Sequence, residues 1–440
     1  MTNLAIGRLN LPDEQAWLAL TGSTVMEGLV GSDYQFSPCD ENTSRETVQL
    51  HLRGSQQAQL RQWLDRLEAF QQQPEDLFLR LWSDDLQDYG YACIHQLNLK
   101  TLPGHLASHE RGSLELDLDI LRETFFFGQE VPVSLSNSSG PPLESGLKIY
   151  NHDDATVGHD NWFKVDAGNL DLKFPAFLRF QFENNFNGSD LGDFWVGSLP
   201  VKLGQPQPKL NLEAEDGSGG TLVSHSQASG GKYCRYSWSG ANWQTLTSWV
   251  LGPIEVSQLV GGSVLPLLRF FNPPLSANLQ VRILVYLQGN LVFEGPVTYH
   301  TSGKGYASLD PLRLPLGELP MQSYASHHQL VLQGKQTDAG EHLLELDDLL
   351  LLPQHSFVGY HALSGLSYPL KLIEDGMSAN SWSLQDGMEF KSHLSFGSGL
   401  ELKPDLPQYF WCFQTDTNSL APIDRTLSVR AWYRRRWRLP

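Results

Sequence analysis

The chain has 440 residues, with 31 Lys and Arg against 49 Asp and Glu, a formal net charge of −18. At roughly 150 residues per domain the length predicts about three domains, and the acidic balance excludes a general affinity for nucleic-acid backbones, which bind where cations displace counterions. Charged residues make up 18 % and aromatic residues 11 %, with 12 Trp, 39 Gly and 25 Pro, a balance that suits aromatic-faced sheets and many turns better than helical bundles.

Cys39, Cys93, Cys234 and Cys412 are far apart and form no CxxC pair, so buried free thiols are expected rather than zinc or redox chemistry. The opening residues carry no basic stretch followed by an apolar run, which predicts synthesis in the cytosol without a signal peptide. The longest apolar run, Leu343 to Leu352, is broken by Glu345, Asp347 and Asp348, so no membrane span is expected.

One segment has a helical period. Leu60, Trp63, Leu64, Leu67 and Phe70 recur at three- and four-residue steps between Ser55, a plausible N-cap, and Pro74. Its flanks alternate at period two: Val48, Leu50 and Leu52 before it, then Leu77, Leu79 and Leu81, and Tyr91, Cys93, His95, Leu97 and Leu99 after it. Leu114, Leu116, Leu118 and Ile120 against Glu115, Asp117 and Asp119 describe a strand with one wet face. Residues 1–140 therefore read as an α+β domain of one helix and several antiparallel strands.

From Ser134 to Ser145 the chain is Ser-, Asn-, Gly- and Pro-rich and aperiodic, which marks a boundary. Beyond it, short apolar runs such as Phe177–Phe182, Val281–Tyr286 and Leu427–Trp432 recur between turn residues, as in β-sandwiches. Gly204 to Pro208 is a Pro-rich connector, and a further boundary falls near Pro353.

Motifs of catalysis are absent from the sequence: there is no GxSxG, GxxxxGK[ST], HExxH or GxGxxG, and no enzymatic activity is expected. His105 and His109 have zinc spacing for a helix, but the neighbouring Gly and Pro place them in a loop. The stretch Asn151 to Trp162, rich in Asp and His, reads as solvated turns. Glu183 to Gly188 opens like an EF-hand loop, but Phe194 stands where the twelfth-position Glu belongs; Asp190 and Asp193 remain as oxygens for a looser site. The five arginines from Arg430 to Arg438 continue a strand pattern, which predicts a final strand paired with acidic neighbours rather than an RNA-binding arm.

Leu212-Glu213-Ala214-Glu215-Asp216 followed by Ala228-Ser229-Gly230-Gly231-Lys232-Tyr233 resembles carbohydrate-binding modules of the galactose-binding-like jelly-roll type. That resemblance implies that Glu213 and Glu215 are calcium ligands, and hard carboxylate oxygens at alternate strand positions can indeed clamp a hard cation. Trp238, Trp243 and Trp249 are candidates to stack on sugar rings, with burial in a core as the open alternative.

Three further segments resemble distal tail and minor tail proteins of long-tailed bacteriophages. Glu46–Arg53, Leu60–Leu67 and Leu114–Leu118 are similar to the family's N-terminal ring-forming domain; Leu147–Asn151 with Phe174-Pro175-Ala176 is similar to the opening of its sandwich. Leu400–Pro404 and Leu427–Arg434 are similar to its closing strands, although Asp405-Leu406 replaces the usual Gly-Asn. The resemblance implies a mainly β chain with three parts: a ring-forming α+β domain at 1–140, a sandwich split between 141–208 and 354–440, and a jelly-roll insert at 209–353. It also implies a virion tail protein made in the host cytoplasm, self-association into a ring, most simply a hexamer, and partners among tube, tip and hub proteins. Host surface carbohydrate is a further partner on this view, and sequence-specific nucleic-acid binding is not. The competing class is an accessory carbohydrate-binding protein, or the binding portion of a carbohydrate-active enzyme.

Overall fold

The computed structural model describes residues 4–8, 17–20, 29–38, 43–53, 57–73, 77–83, 88–101, 113–138, 146–166, 170, 172–187, 190–201, 204, 206–259, 261–276, 278–315, 328–338, 340–362, 367, 370–377, 380–390, 393–397, 400–416 and 425–437. The chain is mainly β and divides into two compact units, residues 1–131 with 434–440, and residues 132–433.

In the first unit the strands Leu29–Pro38, Thr43–Arg53, Ser113–Glu123 and Asp88–Thr101 lie side by side, and Asp88–Thr101 continues into a second set through Phe78–Ser83, Leu4–Gly7 and Leu18–Ala19. Leu116, Leu118 and Ile120 are buried as their alternation requires. Asp119, on the other face, takes Arg45 at 3.3 Å and Lys100 at 3.9 Å from the neighbouring strands. The helix occupies Gln57–Gln72, with Leu67 buried and Leu64 and Phe70 packed on the same core.

Asp88–Thr101 departs from simple alternation. Its inward residues are Ala92 and Ile94, then Leu97, rather than Tyr91, Cys93 and His95. The register steps from Ile94↔Arg122 to Gln96↔Leu121 and passes over His95, a bulge that switches which residues face inward. The fully buried Arg122 donates to Glu46 at 2.5 Å and lies 4.3 Å over Phe126. The last residues of the final strand belong to this unit, where Arg434 meets Glu130 at 2.7 Å and Trp437 fills the space left by the missing side chain of Gly90.

In the second unit two sheets form a sandwich, and each takes strands from both sides of residues 209–353. One contains Leu147–Tyr150, Thr426–Trp437, Ala176–Asn184, Lys371–Asp375, Asn380–Gln385 and Met388–Phe390; the other runs His393–Gly397, Phe357–Ala362, Leu191–Pro200, Pro407–Asp416, Trp162–Asp166 and Leu135–Ser136. The insert has two sheets of its own. A seven-stranded one is centred on Glu341–Pro353, flanked by Ser263–Asn272 on one side and by Lys232–Ser239 and Asn211–Glu213 on the other. A five-stranded one is built on Gln244–Val250, His328–Gln336, Leu279–Leu287 and Asn290–Glu294.

The two central strands of the six-stranded sandwich sheet, Leu191–Pro200 and Pro407–Asp416, are buried on both faces. Phe194, Val196, Phe410 and Cys412 enter the core between the sandwich sheets, while their neighbours Trp195, Trp411 and Phe413 enter the core of the insert. Period-two alternation thus divides one strand between two cores, and both of its residue sets are apolar. Gly197 falls on the insert side, where an added Cβ would lie 2.8 Å from Leu352 Cδ2 and 3.2 Å from Leu352 Cβ. Gly197→Ala is therefore expected to cost about 1–3 kcal/mol through overpacking, read as a lower urea midpoint in tryptophan fluorescence. An unchanged midpoint would show that the two layers are not in close contact there.

Candidate functional site

The polar groups of the second unit converge where the sandwich meets the insert. Asn211–Glu213 pairs antiparallel with Glu341–Pro353, so that Glu213 stands directly opposite Asp348. Two like charges in that position repel. On its other side Asp348 faces Arg269, with the guanidinium Nε at 3.7 Å. Register there steps from Arg269↔Asp348 to Phe270↔Leu346 and passes over Asp347, a bulge that leaves two consecutive acids buried in an otherwise leucine-rich strand.

The turn Ser229–Gly231 closes over these acids. Gly230 and Gly231 have φ of 62° and 77°, and a Cβ on Gly230 would collide with the Glu215 carboxylate, so both backbone shape and space require glycine there. Ser229, fully buried, ties the cluster together. Its N–H donates to Asp347 Oδ1 at 2.8 Å, and its hydroxyl lies 3.0 Å from Glu213 Oε1 and accepts from Asn211 Nδ2 at 3.1 Å.

The sandwich contributes the loop Asn151–Asn161. Expected as solvated turns, it is instead a packed polar knot with His152, Asp154, Asp160 and Asn161 buried. His159 Nδ1 and His152 Nε2 are 2.8 Å apart, His159 stacks on Tyr150 at 3.7 Å, and burial pushes His152 down to about 3. Asp154 accepts from the N–H and hydroxyl of Thr156, and Asp160 from Ser138. Asp153 joins the loop to the insert: its carbonyl accepts from Gly230 N–H at 2.6 Å, and its N–H donates to Ser229 Oγ at 3.2 Å. A second polar joint is centred on Asp193, which meets His361 Nδ1 at 2.5 Å and the hydroxyl of the insert's Tyr306. The Asp193 carboxylate is thus engaged by His361 and Tyr306, while Arg425 bonds the main-chain carbonyl of Asp190.

Burial and mutual repulsion raise the carboxyl pKa values throughout the cluster. Asp153 and Glu215 are pushed up to about 7 chiefly by desolvation; Glu213, Asp347 and Asp348 rise for the same reason. Among the described residues, Asn211 Oδ1, Glu213 Oε2 and Glu215 Oε2 are buried without a hydrogen-bond partner, while the Asp348 carboxylate pairs with the Arg269 guanidinium at 3.7 Å. Unmet acceptors of this kind are costly unless a proton or a cation serves them. The donor set consists of hard oxygens, the chemistry that suits calcium. Among the described residues, however, no group of three or more His, Cys, Asp or Glu side chains is already arranged to hold a metal ion.

The three tryptophans separate. Trp249 is a core residue, 3 % exposed, with its indole N–H donating to the Glu213 carbonyl at 2.7 Å, because its place on Gln244–Val250 faces inward. It offers no face to a sugar. Trp238 is half-buried against His342, its cross-strand partner. Trp243 is half-buried with Arg282 4.3 Å over its ring and Lys335 at 5.8 Å. His105 and His109 lie outside the described residues. Asp153, Ser229, Asp347 and Asp348 were not singled out as site residues from sequence; acids inside the apolar run Leu343 to Leu352 were the available signal.

Because the folded pKa of Asp153 and Glu215 lies above the ordinary 3.8 and 4.5, the folded state holds protons that the unfolded chain has lost. Their contribution is complete below about pH 4 and is lost as the pH rises through about 7. In EGTA the melting temperature of the second unit is accordingly expected to fall from pH 5 to pH 8, and less steeply in Asp153→Asn with Glu215→Gln. A rise over that interval would contradict the burial of these acids.

No protein-family model matches the sequence, and no curated protein matches it. Among solved structures the chain is similar to the Dit protein of phage SPP1, described as a paradigm of the hub adsorption apparatus in phages that infect Gram-positive bacteria, at 8 % identity and a TM-score of 0.24 over 99 % of this chain and 89 % of that one. It is also similar to a chain of the phage P2 baseplate in its activated conformation with Ca, at 9 % identity and a TM-score of 0.22 over 80 % and 97 %. An exo-β-1,3-galactanase from Phanerochaete chrysosporium, with galactose, aligns at 14 % identity and a TM-score of 0.20 over 70 % and 78 %. With TM-scores this low, the fold description rests on the sheet topology itself.

Proposed function

We propose that the protein is a non-enzymatic structural component of a phage tail tip, a distal-tail-like ring protein that joins the tail tube to tip or baseplate parts. The observation that carries this reading is the strand Leu29–Pro38. It is ten residues long, lies at the end of its sheet and, among the described residues, pairs only with Thr43–Arg53. A long strand with an open edge invites pairing with another chain, and a closed ring of subunits covers every such edge. The sequence resemblance of residues 46–121 to ring-forming tail domains supports the same assembly. The charge of −18 per chain agrees with a ring through which DNA passes without sticking.

The insert would present a surface to host glycans or further tail proteins, with a calcium ion held through Glu213 and Glu215. The jelly-roll insert also suits the alternative, an accessory carbohydrate-binding protein.

Light scattering of the purified chain, followed by negative-stain imaging of the same fraction, tests the ring. A closed assembly with a central hole is expected. A monomer that forms no ring with tail-tube protein and binds glycans through its insert would turn the reading to the alternative. For the metal, Glu213→Gln with Glu215→Gln is expected to lower the melting temperature relative to wild type in calcium but not in EGTA. An equal difference in both would remove these residues as ligands.

A further inference from the structure

We propose that the insert carries a ligand site in a cleft at the rim of its two sheets, and that this site takes a neutral, hydroxyl-rich ring, an uncharged sugar residue, and turns away charged sugars. The proposal rests on the reading of the insert as a glycan-facing surface and gives that surface a place and a ligand class.

The cleft lies beside two connections, each of which crosses from one sheet of the insert to the other. Residues 273–278 lead from Ser263–Asn272 to Leu279–Leu287, and residues 337–340 lead from His328–Gln336 to Glu341–Pro353. Its volume is about 440 Å³, within the range of about 300–1,000 Å³ usual for small-molecule sites. The two connections are tied together, because the Ser276 hydroxyl donates to Asp338 at 3.0 Å and the Asn278 amide donates to the same carboxylate.

Three features of the lining define the ligand. First, two buried polar side chains lack partners. Gln336 is 5 % exposed and His342 7 %, and neither Gln336 Oε1 nor His342 Nε2 has a hydrogen-bond partner among the described residues. Both side chains line the cleft, and the last torsion of each is a soft one, so a turn about that bond offers these atoms to an occupant. Groups buried unmatched in this way cost free energy until something hydrogen-bonds to them. The amide oxygen only accepts, whereas the imidazole nitrogen donates or accepts with its tautomer. A hydroxyl serves both in either tautomer; an ammonium group, which only donates, does not.

Second, the described residues that line the cleft include Asp338, Glu341 and Glu345 but no Lys or Arg. An anionic ligand would meet repulsion with no counter-charge. Nor is the lining a trap for an organic cation, since Asp338 is spent on the tie between the connections and Glu345 is paired with Arg235 at 2.6 Å and accepts from Asn272. The exposed Glu341 is left to accept hydrogen bonds from ligand hydroxyls. Third, Pro274, Leu275 and Leu343 give the lining an aliphatic side, with Leu275 76 % exposed, which suits the C–H face of a pyranose.

Ligand-observed saturation-transfer NMR on the intact chain tests the site with the methyl glycosides of glucose, galactose and mannose, and with the uronates and amino sugars of the same hexoses. At least one neutral glycoside is expected to bind, and its charged counterparts about tenfold more weakly. Gln336→Met removes the unmatched acceptor, so it is expected to weaken that sugar about tenfold while the melting temperature holds or rises. Glu341→Ala, at an exposed position, is expected to weaken it as well and serves if the buried variant misfolds. Neutral-sugar binding that the folded variants leave unchanged, or charged sugars bound as tightly as neutral ones, overturns the site and leaves the glycan reading standing. Failure of every probe to bind also overturns the site, and the glycan reading falls with it if the chain binds nothing on a glycan array.

Discussion

A sheet that is apolar on both faces cannot end at solvent, and the strands Leu191–Pro200 and Pro407–Asp416 form such a sheet. Phe194, Val196, Phe410 and Cys412 point one way, Trp195, Trp411 and Phe413 the other, and every one of them is buried. The second layer they require is supplied by the insert, whose Leu352 comes against Gly197 and whose Arg269 lies 4.8 Å over Phe413. Residues 209–353 are therefore fused to the sandwich through a common apolar layer rather than tethered to it by two chain crossings. Removing the insert would expose two tryptophans and a phenylalanine at once.

The polar chemistry of the joint follows from that fusion. The central strand Glu341–Pro353 is buried along nearly its whole length, so acids placed within it at Glu345, Asp347 and Asp348 go into the interior with the leucines. Glu345 is neutralised by Arg235 at 2.6 Å. Asp348 has Arg269 at 3.7 Å and Asp347 the N–H of Ser229, but together with Glu213 and Glu215 these acids outnumber that cation, and the loop of Asp153 packs against their turn. A buried group of acids without matching cations destabilises a fold in proportion to its ionisation. A proton held on the raised carboxyl groups offsets part of that repulsion.

Much of this was legible in the sequence where one periodicity ran undisturbed. The helix at Gln57–Gln72 and the alternation of Leu116, Leu118 and Ile120 needed only local rules. Legibility failed where a single residue shifted the register: the bulge at His95 exchanged the inward set of Asp88–Thr101, and the bulge at Asp347 gathered two adjacent acids. It failed again where tertiary packing decided burial. Trp249 and Trp243 are six residues apart on similar surroundings in sequence, yet one caps the insert core and the other lies under Arg282. The Asp- and His-rich loop read as solvated because turn chemistry and a buried polar knot draw on the same residue types.

A fused insert would transmit load or contact into the sandwich, whereas a tethered one would swing freely. Scanning calorimetry of the intact chain separates these directly. The shared layer predicts that residues 132–433 unfold in one cooperative transition, with van't Hoff and calorimetric enthalpies in agreement and any second transition belonging to the first unit. A separate transition for the insert, unfolding while the sandwich stays folded, would contradict the account.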